Sequence, residues 1–386
     1  MARLRTIDPV LLLFGAGALA VTIQKGVLAG HPGNFLLFRA TFHRLVGRAD
    51  IYHPPPGEMT GFLYSPTFAL LFAPFAVLPV ALGLLLWNGV NALSLYWGIR
   101  LLLPARAARV ALLIVFLDMM RSLQNSQSNA LVAGLILLAF VALERDRVAR
   151  GAAAILVGTF TKIYPLGAAV LGLIRPRPVR FLTLFLLLGL LFAGLPLLVL
   201  PPDALAATYR EWWSIIQRDT VLQGQSVMGL VASVMGSAAL TLAIQLAGTV
   251  LLIAPLVAQR GGWPDPRFRL RWLCSFLVFC VIFNHQAESA SFVVASSGVA
   301  VWYVTSPRSW WRALLVALVL VVDTLPHLFF MPPGLYQHVI GPNALDALPL
   351  LVIWLVIQSE LWRWKEGSGS RDEPNISSGE PVPNLA

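Results

Sequence analysis

Two short polar stretches carry the side chains of this sequence best suited to chemistry. In Asn284-His285-Gln286-Ala287-Glu288-Ser289 an imidazole and a carboxylate stand three residues apart, a spacing that a helical turn brings to one side. The second stretch pairs Asp50 with His53, just before Pro54-Pro55-Pro56. A carboxylate beside an imidazole can take a proton from a hydroxyl or hold a sugar by its hydroxyls. Neither pair has a HExxH pattern or a third ligand, so neither reads as a metal centre. Lys162, in Thr161-Lys162-Ile163-Tyr164-Pro165, interrupts an apolar segment beside a helix break, where an ammonium and unwound backbone could meet an anion. Asp118 and Asp323 are its acidic counterparts, open to a functional reading or to an internal ion pair. All six histidines, His31, His43, His53, His285, His327 and His338, fall in or beside polar segments that hydropathy gathers on one membrane face. His31, His43 and His327 read as interfacial or structural.

The elements that must position these groups are apolar. The chain has 386 residues, 58% of them hydrophobic and 12% charged, with a mean hydropathy of +0.76. That leaves too little polar surface for a water-soluble globule. The long runs rich in Leu, Ala and Val argue for helices over a barrel. The fold class expected is all-α, a polytopic helical bundle of about 10 to 13 spans. Apolar segments run 9–29, 60–79, 82–103, 108–122, 128–143, 151–173, 179–200, 227–259, 271–284, 288–304, 311–330 and 344–362. The run 227–259 is too long for one straight span, so a half-helix or in-plane piece is expected near Met228-Gly229. The net charge of +10 sits in short loops, where the positive-inside rule explains it without nucleic acid. Arg3/Arg5, Arg175/Arg177/Arg180, Arg260/Arg267/Arg269/Arg271, Arg308/Arg312 and Arg363/Lys365 become cytoplasmic in a strict zigzag. Arg100/Arg106/Arg109 and Arg145/Arg147/Arg150 do not, so either a segment between 82 and 173 fails to cross fully or the rule is overridden there. Cys274 and Cys280 share one apolar run on different helix faces and cannot pair.

The non-cytoplasmic segments are then 30–59, 201–226, the turn near 284–288 and 331–343. In the first, the apolar positions 35, 38, 42, 45 and 46 form one helical stripe with Arg39, His43 and Arg44 opposite, as in a helix lying on the membrane surface. Those cations suit a lipid phosphate, or simply snorkel. The neutral cluster Gln124-Asn125-Ser126-Gln127-Ser128-Asn129 can hold sugar hydroxyls or bridge helices. Trp212 and Trp213 serve as interfacial anchors or as a platform for sugar stacking. Residues 1–365 form one membrane domain, and the Gly/Ser/Pro-rich stretch 366–386 reads as a disordered cytoplasmic tail.

In order and spacing these runs resemble glycosyltransferase family 87, the polyprenyl-phosphate-mannose-dependent mannosyltransferase-like group. The matching pieces are the surface helix ending in Ala49-Asp50-Ile51-Tyr52, Phe62-Leu63-Tyr64-Ser65-Pro66 leading to Pro74 and Pro79, the cluster 124–129, Lys162 with Pro165, and the turn 284–289. The resemblance implies a C-type glycosyltransferase architecture in the plasma membrane. It would move a hexose, mannose-like, from a polyprenyl-phosphate donor to a glycolipid or glycan acceptor on the exterior face, with inversion and without metal or cofactor. In one respect the chain departs from the family. An acidic residue common near the start of the surface helix is replaced by Asn34, and an amide is no general base. The implied roles are then a base at Asp50 or Glu288 supported by His285, phosphate contacts from Lys162, Arg39 and Arg44, and a sugar or acceptor site. That last site would comprise Asn34, Tyr52, His53, Tyr64, Gln124, Asn125, Gln127, Asn129, Trp212 and Trp213. Two other readings remain: a transporter or lipid flippase using Lys162, Asp118 and Asp323, or a catalytically inactive relative that binds glycolipid.

Overall fold

Prolines and short polar caps set most of the helix starts. The computed structural model describes residues 8–219, 224–325 and 336–365. Arg3, Arg5, His327 and the tail 366–386 lie outside the described residues. Helix α1 (Pro9–Thr22) begins on Asp8, whose carboxylate accepts the Val10 N–H, and continues as a wider turn over Ile23–Leu28. The surface helix α2 (Asn34–Val46) buries Phe35, Phe38, Phe42 and Leu45 of the expected stripe, while Val46 is exposed. Then come α3 (Pro66–Leu71), capped by Ser65, and α4 (Ala73–Ala76). Helices α5 (Val80–Leu102), α6 (Ala105–Gln124), α7 (Asn129–Glu144) and α8 (Val148–Thr161) follow. At Lys162 the backbone is extended (φ −143°, ψ 138°). The chain resumes as a 3-10 turn over Tyr164–Ala169 and α9 (Val170–Leu173).

The second half comprises α10 (Pro178–Gly194), α11 (Pro202–Arg218), α12 (Val227–Met235) and α13 (Thr241–Ala258). After them come α14 (Pro266–Ile282), α15 (Phe292–Thr305), α16 (Trp310–Val319) and α17 (Ala347–Trp362). The break anticipated in 227–259 falls at Gly236, whose φ of +66° ends α12. No strand occurs among the described residues. The chain is an all-α polytopic membrane protein. Four helical stretches, Pro9–Leu28, Val80–Leu102, Pro178–Leu198 and Thr241–Ala258, are long and apolar enough to cross a bilayer. Pro178–Leu198 is so apolar and so little buried that its side chains need lipid around them.

One expected span is not there. Residues 60–79 form an extended lead-in and helices of six and four residues. At 1.5 Å per residue these reach about 9 Å and 6 Å, far short of a hydrocarbon core about 30 Å thick. Their apolar content goes inward instead: Phe62, Phe68 and Phe72 pack with Phe38 of α2, and Phe68 and Phe72 also meet Trp87 of α5. Two pieces therefore fail to make a single crossing: 66–76, and 151–173, the non-crossing segment expected between 82 and 173, which starts beside Leu143, turns back at Lys162 and ends just before Arg175, paired with Glu144.

Only these two changes together place the two discordant arginine loops at the same end as the others. Arg145 donates to the Leu101 carbonyl, joining the α5–α6 and α7–α8 connections. Glu144 pairs with Arg175 at 2.9 Å and Arg269 at 2.7 Å, and Asp146 with Arg177 at 3.3 Å. Glu360 pairs with Arg312 at 2.9 Å and Arg271 at 3.3 Å. Between the ends, α5 and α7 cross backbone to backbone, since a Cβ on Gly134 would lie 2.3 Å from the Ser94 carbonyl carbon.

This two-ended layout has a direct test. Exposed positions 56, 106, 147 and 308 can be replaced one at a time by cysteine, the native Cys274 and Cys280 being buried. A membrane-impermeant maleimide should label position 56 from one side and the other three from the opposite side. Labelling of 56 and 106 from the same side would overturn the assignment of 66–76.

Candidate active site

The end of the bundle opposite the arginine loops contains a cavity of about 280 Å³. The start of α2 contributes Asn34, and the lead-in to α3 contributes Leu63 and Tyr64. The α6–α7 turn contributes Gln127, and the break after α8 contributes Thr161, Lys162, Ile163 and Tyr164. Helix α11 presents Trp212 and Ile216, with Asp219 one residue past its end, a spacing of four then three that keeps them on one face. The turn between α14 and α15 supplies Asn284, His285, Gln286 and Glu288.

Short hydrogen bonds lock this lining. The Tyr64 hydroxyl donates to Gln127 Oε1 at 3.1 Å, and Gln127 Nε2 donates to Glu288 Oε1 at 2.6 Å. Each amide end thus has a partner of the right kind, which fixes its orientation. Trp212 donates its indole N–H to the Leu63 carbonyl at 3.1 Å, tying α11 to the α3 lead-in. Ser65 donates to the Phe160 carbonyl at 2.5 Å and pins the end of α8, where Lys162 turns out. The Lys162 ammonium lies 5.9 Å from the centre of the Tyr64 ring. No carboxylate among the described residues lies within 4.0 Å of it, and the charge that acts on it from further off is Glu288. It is the one lysine or arginine among the cavity-lining residues.

Of the residues singled out from sequence, Asn34, Tyr64, Gln127, Lys162, Trp212, His285 and Glu288 meet at this cavity. Asn34 donates through Nδ2 to the Asn125 carbonyl at 3.0 Å, a contact in which an ionised carboxylate would oppose a second acceptor. The other residues lie elsewhere. Asp50 is exposed and accepts the Tyr52 and His53 N–H groups at 2.8 and 3.0 Å. Partial burial pushes its carboxyl up, but these donors and the His53 ring outweigh that and hold it below its ordinary value of 3.8. His53 sits between Asp50 at 3.2 Å and Glu211 at 3.6 Å. Tyr52 braces the Tyr64 carbonyl from behind. Arg39 donates to the Ala76 carbonyl, and Arg44 is paired with Glu58. Asn125 is bonded to the Arg121 carbonyl and Asn129 to the Ala290 carbonyl, while Gln124 is half-buried at the end of α6. Trp213 is 54% exposed and does not line the cavity.

Five residues not picked out by spacing, Asp219, Gln286, Gln245, Arg121 and Thr324, shape the site. Asp219 accepts from Gln286 Nε2 at 2.7 Å and faces His285 Nε2 at 4.0 Å, and Gln245 of α13 contacts His285 Nδ1 at 3.2 Å. Arg121, buried, donates to Asp118 at 3.1 Å, to the Asp323 and Thr324 carbonyls at 2.8 and 3.2 Å, and to the Ser289 carbonyl at 3.0 Å. The Thr324 hydroxyl donates to the same Asp118 oxygen at 3.1 Å. Thus Asp118 belongs to an internal ion pair, and that pair grips the residue next to Glu288. The carboxylate oxygens of Asp323 have no hydrogen-bond partner among the described residues. Arg121 was legible as an arginine three residues after Asp118 in an apolar run, the i,i+3 spacing of a helical pair.

Breaking a buried pair from one side leaves an uncompensated charge, so Arg121→Met should cost about 3–5 kcal/mol of stability. The double variant Asp118→Leu/Arg121→Met should recover a large part of that. Thermal unfolding of the purified protein followed by size-exclusion measures both. A double variant no more stable than Arg121→Met would remove the ion pair as the reason.

The family model of glycosyltransferase family 87 matches residues 62–284, more than half of the chain, and takes in most of the cavity wall. No curated protein matched the chain. The long apolar helices and the extent of this match make the chain a member of glycosyltransferase family 87, a membrane glycosyltransferase.

Proposed function

We propose that the protein transfers a hexose of the mannose type from a polyprenyl-phosphate carrier to a glycolipid or glycan acceptor at the exterior face of the plasma membrane. The observation that carries this reading is Lys162: an ammonium in the cavity, without an ion-pair partner among the described residues, at the headgroup end of a membrane bundle. A cation held out of bulk water and left unpaired suits a phosphate whose charge grows as its bond to the sugar breaks. Because the arginine loops collect at the other end, the positive-inside rule assigns that end to the cytoplasm and the cavity to the exterior.

Transfer with inversion needs a cation for the departing phosphate, a carboxylate to take the acceptor's hydroxyl proton, and hydrogen bonds that hold the sugar. Lys162 meets the first need. Glu288 and Asp219 are the carboxylates of the lining, and Asn34, Gln127, Tyr64 and Trp212 offer amide, hydroxyl and aromatic surface to the sugar. Side-chain cations are sufficient for such a leaving group, so the reading requires no metal.

The test is transfer from radiolabelled polyprenyl-phosphate mannose in membranes containing the full chain and endogenous acceptors. Lys162→Met should lower the rate by about 100-fold or more. Arg39→Gln, Arg44→Gln and Asp50→Asn, whose side chains are committed outside the cavity, should keep most of it. Absence of turnover in the wild type with any lipid-phosphate hexose would end the enzyme reading, and wild-type rates in Lys162→Met would end the phosphate assignment.

A further inference from the structure

Asp219 and His285 have an arrangement that bracing alone does not account for. Gln245 Nε2 reaches both the Phe283 carbonyl at 3.4 Å and His285 Nδ1 at 3.2 Å. The carbonyl can only accept, so it turns the amide NH₂ toward the ring and makes Nδ1 an acceptor. The imidazole proton then sits on Nε2, which faces Asp219 Oδ2 at 4.0 Å. Among the described residues this buried Nε2 has no hydrogen-bond partner. A buried N–H is costly to leave unpaired, and a movement of about 1 Å closes the gap. Catalytic hydrogen bonds are often long before substrate binds and tighten in the complex.

The two carboxylates of the lining differ in their neighbours. Glu288 is held by Gln127 at 2.6 Å, and its charge acts on Lys162, the proposed phosphate ligand. A carboxylate beside the leaving group is badly placed to serve the opposite face of the anomeric carbon, where an inverting nucleophile must arrive. Asp219 has Gln286 on Oδ1 and His285 near Oδ2, which leaves lone pairs of its roughly four free for an incoming hydroxyl. It enters from α11, on the helix face that carries Trp212 and Ile216.

We infer that Asp219, oriented by His285 and Gln286, is the general base for the acceptor hydroxyl, standing in for the carboxylate that Asn34 does not provide, while Glu288 acts on Lys162 through its charge. This deepens the proposed transferase reading and rests on it. The acceptor oxygen forms a bond to the anomeric carbon as its proton passes to the Asp219 carboxylate. The bond from the anomeric carbon to phosphate oxygen breaks, and its electron pair leaves with the phosphate. A singly charged phosphodiester becomes a doubly charged monoester while Asp219 becomes neutral, so the net charge of the occupied cavity does not change. His285 and Gln286 are positioning residues; neither needs to gain or lose a proton.

Asp219→Asn, nearly isosteric, should lower transfer from radiolabelled polyprenyl-phosphate mannose by about 100-fold or more, with the KM for donor little changed. Glu288→Gln should raise the donor KM more than it lowers kcat. Asp219→Ala, checked for a wild-type size-exclusion profile, allows a sharper readout with sodium azide, a nucleophile that needs no base. Azide should restore donor consumption in Asp219→Ala and yield the glycosyl azide of inverted configuration, and should not do so in Glu288→Ala. Wild-type turnover in Asp219→Asn, or azide rescue confined to Glu288→Ala, would overturn the inference while leaving the transferase reading intact. A wild type inactive with every lipid-phosphate hexose would instead defeat the reading on which the inference rests.

Discussion

One buried guanidinium organises the working end of this molecule. Arg121 projects from the last turn of α6, balanced by Asp118 one turn earlier, and takes hold of carbonyls from two distant stretches, Ser289 and Asp323–Thr324. A buried charge is tolerable only when it is paired and hydrogen-bonded, and the Asp118 carboxylate with three carbonyls meets that need for the two terminal nitrogens of Arg121, which limits the alternative arrangements. The polar turn that follows inherits its rigidity. The Asn125 carbonyl receives Asn34, Ser126 donates to the Pro32 carbonyl at 2.6 Å, Trp87 donates to the Ser126 carbonyl at 3.0 Å, and Gln127 reaches Glu288. Ser126 takes a left-handed backbone (φ +52°), a conformation that such bonds must hold in place. Three walls of the cavity are therefore set from one turn.

The same economy of polar groups separates the two ends. In a membrane protein every ionised side chain needs either water or a partner. At the arginine end the loops interlock through shared carboxylates: Glu144 serves α7, the α9–α10 connection and α14, and Glu360 serves α14 and α16. At the cavity end charges are few and neutral amides do the bridging, which leaves Lys162 without an ion-pair partner among the described residues. A site meant to receive a phosphate cannot have its cation already neutralised at close range. In the surface loop, by contrast, Arg44 and Arg39 are satisfied within the protein. Position on an amphipathic helix told where these arginines lie relative to the membrane, not what they touch.

Much of this was legible along the chain. The stripe from Phe35 to Leu45 gave α2, the length of 227–259 demanded the break that Gly236 provides, and the basic residue before Tyr164-Pro165 marked the end of α8. The turn 284–289 was visible as a polar interruption between apolar runs. The segment 60–79 misled because hydropathy counts apolar side chains without asking what covers them. Its Pro66, Pro74 and Pro79 forbid a continuous helix, and its phenylalanines are covered by α2 and Trp87 rather than by lipid. Asp219 was not legible as a site residue at all. It meets Gln286 across 67 positions of sequence, and such a meeting is a product of tertiary packing that no local pattern encodes.

Every proposed step of transfer requires lipid phosphate to bind in the cavity at Lys162. A structure of the full chain in a lipid nanodisc with polyprenyl phosphate tests this most directly. The prediction is a phosphate oxygen within about 3 Å of Lys162 Nζ, between the Glu288 turn and the face of α11 that carries Trp212. A phosphate held by Arg39 or Arg44, with Lys162 unengaged, would contradict it.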